Sequence, residues 1–175
     1  MTEKQEKIVN AALRLFAEEG YKSTSTSKVA KEAGVSEGLI FRHFGNKEGL
    51  LEAIMKLGEE QANAMLSGIV SESDPKELIR KYLDLSLKIS TDKESIDFWK
   101  LQFKIKWELE IYGEHKLQAL QGALVEAFRK MRYNHPVEEA NLLLTLMDGI
   151  ATRFMLQSNY DIGSTIEFLK SKYKL

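Results

Sequence analysis

An all-helical fold is predicted by three features of this 175-residue sequence. Apolar residues recur at three- and four-residue spacing along nearly the whole chain, the period of one helix face. Alternating period-two runs bounded by hairpin turns are missing. The two prolines, Pro75 and Pro136, fall in polar breaks. The reading is three short N-terminal helices followed by longer ones, about nine in all. The expected division is an N-terminal part, residues 1–46, and a C-terminal helical part, residues 47–175.

The elements follow in chain order. Ile8, Ala12, Leu15 and Phe16 form the stripe of a first helix near Glu3–Glu19, and Gly20 stops it. A second helix begins near Ser27 and stops at Gly34; a third spans Glu37–Phe44. Asn46 opens a long fourth helix with Leu50, Leu51, Ile54, Met55, Ala62, Met65, Leu66 and Ile69 inward. Short polar breaks at Ser71–Pro75, Ser90–Lys93, Tyr112–Glu114, Asn134–Pro136 and Ser158–Asp161 delimit the remaining helices.

The stretch KVAKEAGVSEGLIFRHF, Lys28–Phe44, carries the most information. Val29, Ala30 and Ala33 make one side of the second helix, and Ala30 is small enough for another helix to approach. Gly34 can take the positive φ that a sharp interhelical turn requires. Val35 plugs the corner, Ser36 is placed to cap the third helix, and Ile40 points back into a small core. These offsets specify a helix-turn-helix, whose second helix enters the DNA major groove. At about 100° per residue, Gly38 and Arg42 lie opposite Ile40, flanked by Leu39 and Phe41. Glu37 and His43 fall at the edges, and Ser36 and Phe44 on the inner side. Arg42 suits a guanine edge or a phosphate, and Leu39 a thymine methyl. Ser25 and Thr26, before the second helix, and Lys47, at the start of the fourth, are placed for phosphate.

Local charge agrees. Lys22, Lys28, Lys31, Arg42 and Lys47 outnumber Glu32 and Glu37 inside a chain whose formal net charge is -1. Any nucleic-acid surface is therefore local. Cysteine is absent, which removes disulfides, thiolate zinc sites and Cys nucleophiles. The charged N-terminus does not read as a signal peptide, and no stretch approaches the ~20 apolar residues of a membrane span. A cytoplasmic protein without membrane association is expected.

Residues from about Ile8 to Ala53 resemble the DNA-binding domain of the tetracycline-repressor (TetR/AcrR) family. The resemblance rests on AALRLFAEEGY, on Thr24–Ser25, on VAKEAGVSEG and on HFGNKEGLLEAI; a later LMDGI at Leu146–Ile150 adds to it. It implies a homodimeric transcription regulator, usually a repressor of a double-stranded operator, whose C-terminal domain binds a small-molecule effector that releases DNA. This chain has Phe41 where the family usually has Tyr, and Leu39 where it often has Thr. Each removes a polar contact. A second reading stays open: a dimeric helical ligand- or protein-binding module with weak DNA binding.

Helix Glu138–Gln157 carries apolar residues around more than half its circumference, which calls for two buried sides. Leu143, Met147, Gly149, Ile150 and Phe154, with Ile162, Ile166 and Leu169 of the last helix, are the candidates for a four-helix interface between two copies. The helix around Asp97–Tyr112 sets Trp99, Phe103 and Trp107 on a different side from its core stripe. Gln102, Lys106 and Glu110 lie beside them. Together with Met55, Met65, Tyr82 and Phe128 these aromatics are the candidate walls of a ligand pocket. His43, His115 and His135 lack metal-ligand spacing, Glu108, Glu110 and Glu114 read as a solvated face, and no nucleophile–base pair can be assembled. Neither a cofactor, a metal nor an enzymatic activity is expected.

Overall fold

A computed structural model of the chain describes residues 1–110 and 117–175, apart from the Lys106 side chain. The described residues form nine helices: α1 Glu3–Glu19, α2 Thr26–Ala33, α3 Glu37–Phe44, α4 Lys47–Val70, α5 Pro75–Thr91, α6 Lys93–Glu108, α7 Gln118–Lys130, α8 Pro136–Leu156 and α9 Ile162–Tyr173. Most expected helix ends agree to within a residue or two; α6 stops at Glu108, short of the expected end near Tyr112. The expected break at Tyr112–Glu114 and the residue His115 lie outside the described residues. By contacts the chain separates into two units, residues 1–62 with 93–112, and residues 63–92 with 113–175. The helices α4 and α6 therefore do not follow a single cut at 46/47: α4 contributes to both units, and α6 belongs with α1–α3.

In the first unit α1 packs against α2 on one side and α6 on another. That explains why the expected stripe of Ile8, Ala12, Leu15 and Phe16 is only half of what α1 buries. Val9, Leu13 and Ala17 are buried too. The core is completed by Val29, Ala30, Ile40, Leu50, Leu51, Ile54, Leu101 and Ile105. Thr2 starts α1 through a capping box: its hydroxyl accepts from the Gln5 N–H while the Gln5 side chain accepts from the Thr2 N–H at 2.8 Å. At Gly58 the chain needs glycine for space. A Cβ there would lie 1.9 Å from the Phe98 ring, so α4 and α6 meet backbone to ring.

In the second unit α5 packs on α7, α8 and α9. Asp74 caps α5, accepting from the Glu77 N–H at 2.8 Å, and Pro75 occupies the first helical turn, where a missing N–H costs nothing. Phe128 sits in the core with its ring centroid 5.1 Å from Tyr133 and 5.4 Å from Tyr173. Leu83, Leu124, Leu143 and Ile166 close around it.

Candidate nucleic-acid interface

The turn between α2 and α3 is built by backbone hydrogen bonds that only a left-handed residue permits. Gly34 has φ 65° and ψ 35°. Its N–H donates to the Lys31 carbonyl, and the Val35 N–H donates to the Ala30 carbonyl at 3.0 Å. This pairing is a Schellman motif, satisfying carbonyls that the end of α2 leaves open. Val35 is half-buried beneath it, as the corner plug should be. Ser25 caps the other end of α2, its hydroxyl accepting from the Lys28 N–H at 3.2 Å. Ser36 departs from expectation: it occupies the N-cap position of α3, yet its side chain makes no capping bond and is exposed rather than inward. The Leu39 N–H is satisfied by the Ser36 carbonyl instead.

Ile40 is fully buried and sets the rotation of α3. Gly38 and Arg42 are exposed on the opposite side, and Phe41 is 48% exposed. Arg42 makes no ion pair or hydrogen bond with another described residue. Leu39 and His43 are half-buried; Leu39 packs partly against the core, and His43 Nδ1 lies 3.4 Å from Gln5 Nε2 of α1. Glu37 faces back, accepting the Thr26 hydroxyl proton at 2.6 Å.

A second cluster holds the start of α4. Tyr21 is buried against Phe16, edge to face at 5.3 Å, and donates its phenol to Glu48 at 3.2 Å. Lys47 Nζ lies 4.5 Å from the Tyr21 ring centroid and donates to the Lys22 carbonyl at 3.3 Å. Burial first, and then the neighbouring Glu48 carboxylate, push the Tyr21 phenol up to about 12. Asn46 opens α4 as expected, its side chain accepting from the Gly49 N–H at 2.8 Å. A Cβ on Gly49 would meet the Phe44 carbonyl oxygen at 2.1 Å, so α3 and α4 close on each other at this point. Sequence reasoning missed Tyr21, Glu48 and Gly49; the available signal was the GY and KEG spacing on either side of the motif. Lys28 is tied to Glu19 at 2.6 Å, leaving less free positive charge than the count of basic residues suggests.

The other expected sites fare differently. The proposed pocket walls divide between the units: Met55, Trp99, Phe103 and Trp107 in the first, and Met65, Tyr82 and Phe128 in the second. Phe128 and Tyr82 are buried core residues. Trp107 is 70% exposed. Met55 is half-buried, its sulfur accepting from Gln102 Nε2 at 3.3 Å. None of these residues lines either of two clefts, of about 560 and 240 Å³, in the first unit. Of the expected interface residues, Leu143, Met147, Ile150, Ile166 and Leu169 are buried in the second unit's own core. The expectation came from the breadth of the apolar surface of α8, which called for two buried sides without telling which residues lie on which. Phe154 and Ile162 are half-buried and Gly149 is exposed. The outward large apolar side chains on these helices are Val137, Leu142, Leu156 and Phe168, the last two each 69% exposed. Among the described residues, no helix is long and apolar enough to cross a membrane, and no cluster of three His, Asp or Glu side chains is placed to hold a metal.

Residues 8–54 match the model of the bacterial regulatory proteins of the tetR family. The transcriptional repressor AcnR of Corynebacterium efficiens is 32% identical over 162 residues, covering 85% of this chain and 80% of that protein. AcnR of Corynebacterium glutamicum is 30% identical over 165 residues, covering 87% and 82%. A regulator from Saccharomonospora viridis, solved in complex with choline, superposes with a TM-score of 0.80 at 18% identity, covering 99% of this chain and 97% of that one. The TetR-family regulator PfmR of Thermus thermophilus gives 0.70 at 20% identity, covering 100% and 96%. With the helix-turn-helix geometry in place and relatives matched over four-fifths of their length, the chain belongs to the tetR family of bacterial DNA-binding transcription regulators.

Proposed function

We propose that this chain is a homodimeric repressor that holds a palindromic operator through α3 and is released by a small molecule. The observation that carries the reading is the outward side of α3. Gly38, Phe41 and Arg42 stand free opposite fully buried Ile40, on a helix positioned by the Gly34 turn. Arg42 reads a guanine edge or holds a phosphate, Gly38 lets the backbone come close, and Phe41 lies along sugar and phosphate. Leu39 reaches a thymine methyl with its exposed part. Ser25, Thr26, Ser36, Glu37 and His43 border this face, and Lys47 meets phosphate from the start of α4.

Two such helices are needed, since a single short one makes too few contacts to select one genomic site. Two copies place them about 34 Å apart, or a multiple of that, one per half-site. We assign the dimer contact to the outward stripe of α8 and α9, with Gly149, Phe154 and Ile162 joined by Leu142, Leu156 and Phe168. The choline-bound Saccharomonospora viridis regulator and the AcnR repressors support a small-molecule effector and a repressing role. Effector binding acts only through a difference in affinity between DNA-competent and DNA-incompetent states.

Selection of bound duplexes from a random pool tests the reading. The expected product is an inverted repeat bound by two chains. Recovery of no enriched sequence, or of single half-sites bound by one chain, overturns it.

A further inference from the structure

With α3 taken as the operator-reading helix, as proposed above, we propose that Glu37 selects the sequence it reads. Glu37 accepts from the amino group of a cytosine at one base pair of each half-site and repels DNA that lacks one there. It is the first residue of α3 and the one acid between Ser36 and Phe44. In a helix-turn-helix the N-terminal residues of the second helix lie nearest the base edges. The side chain is half-buried, and its Oε1 is held by the Thr26 hydroxyl at 2.6 Å. Thr26 opens α2 beside Ser25, at the end of α2 placed for phosphate, so the carboxylate stays at the DNA-facing end of the motif. Its Oε2 has no hydrogen bond or ion pair with another described residue. The nearby acids are engaged otherwise: Glu32 pairs with Arg14, and Glu48 accepts the Tyr21 phenol at 3.2 Å.

A carboxylate accepts hydrogen bonds and donates none. Against a duplex it is repelled by phosphate oxygens, by O6 and N7 of guanine and by O4 of thymine. The major groove offers it donors only at N4 of cytosine and N6 of adenine. Adenine sets its N7 acceptor beside that donor, whereas cytosine presents its amino group with no acceptor of its own alongside. Cytosine is therefore the base that a lone carboxylate oxygen favours. The same charge disfavours every other sequence, so Glu37 gains selectivity by weakening binding elsewhere. An acid in the first turn of a helix also favours the helix dipole. That role changes stability and leaves the choice of base alone.

Selection from a random duplex pool, run in parallel with the full chain and with Glu37→Gln at one fixed salt concentration, tests the assignment. Glutamine keeps the side-chain length and an acceptor for Thr26, removes the charge, and matches N6 and N7 of adenine. The unaltered protein should enrich cytosine at one position of each half-site, by at least about fivefold over the other bases. Glu37→Gln should shift that position alone toward adenine, and should bind a random-sequence duplex at least about threefold more tightly. The same bases from both proteins, a base other than cytosine at the position that changes, or no gain on random duplex would each overturn the role of Glu37 and leave the repressor reading standing. Loss of preference at every position together with a lowered thermal midpoint would mark Glu37 as a structural group and overturn its role too. Failure of the unaltered protein to enrich any sequence overturns the repressor reading, and the role of Glu37 with it.

Discussion

Thr26 donates its hydroxyl to Glu37 Oε1 across 2.6 Å, joining the first turn of α2 to the first turn of α3. The bond joins the two helices at a second point, apart from the Gly34 turn. Gly34 sets where the two helices meet, and Thr26–Glu37 limits how α3 swings about that point. The exposed positions Gly38, Phe41 and Arg42 inherit their aim from both.

Thr26→Val keeps the side-chain shape and removes the donor. A hydrogen bond to a carboxylate of this kind contributes about 1.5–3 kcal/mol. Part of that should appear as lower stability in urea titration. The remainder should appear as weaker operator binding, because α3 is no longer held in one orientation. Equal affinity and stability in the two proteins would show that the corner is rigid without this bond.

The glycines divide by cause. Gly58→Ala drives a methyl into the Phe98 ring and should cost about 1–3 kcal/mol as an overpacked contact. Gly34→Ala meets open space but keeps φ +65°, so its cost is conformational, about 1–2 kcal/mol. Gly122 lies within α7 with nothing near its Cβ position, and Gly122→Ala should stabilise by about 0.5–1 kcal/mol. Chemical denaturation of the three variants checks the two losses and the single gain.

Alkaline pH should destabilise the fold within a defined window. Tyr21 and Tyr173 are both pushed up to about 12, by burial first and then by Glu48 and Glu139 respectively. An unfolded tyrosine titrates near 10. The folded state thus favours the neutral phenols. Their stabilisation is complete below pH ~10 and is lost as pH rises toward 12. Phenolate absorbance at 295 nm from these two residues should therefore appear together with loss of helical circular dichroism. Ionisation of all tyrosines at pH 10 with helicity intact would contradict the assigned burial.

The dimer assignment separates two kinds of leucine on α8. Leu142 is exposed, whereas its neighbour Leu143 is fully buried in the protomer core. Leu142→Glu combined with Phe168→Glu should yield folded monomers by analytical ultracentrifugation. Leu143→Glu should unfold the second unit. A dimer that survives the first pair of changes would place the interface elsewhere.

The helix-turn-helix was legible in the sequence because its specification is local. Gly34, Val35 and Ile40 lie within seven residues, and each has a conformation or packing role that its type announces. The division of α1 into two buried sides was less legible, since α1 also packs on α6, nearly ninety residues later. Helix α8 misled for a related reason. When most of its positions are apolar, periodicity alone cannot tell the side that meets α5 and α7 from the side left outward. Leu143 was therefore assigned to the interface between copies and Leu142 was not singled out. The α6 aromatics were grouped by their shared side of the helix and Phe128 was added by chemistry, yet Phe128 belongs to a ring cluster with Tyr133 and Tyr173, and Trp107 stands in solvent. The Thr26–Glu37 bond was invisible for the same physical reason: hydrogen-bond partners are properties of packed helices.

Titration of Arg42→Ala against a selected palindromic duplex, by fluorescence anisotropy at two salt concentrations, tests most directly whether the outward side of α3 reads DNA. The account predicts steeply salt-dependent binding by the unaltered protein and a loss of about 1–3 kcal/mol on substitution, if Arg42 reads a base. Equal affinity of the two proteins, or binding indifferent to salt, would contradict it.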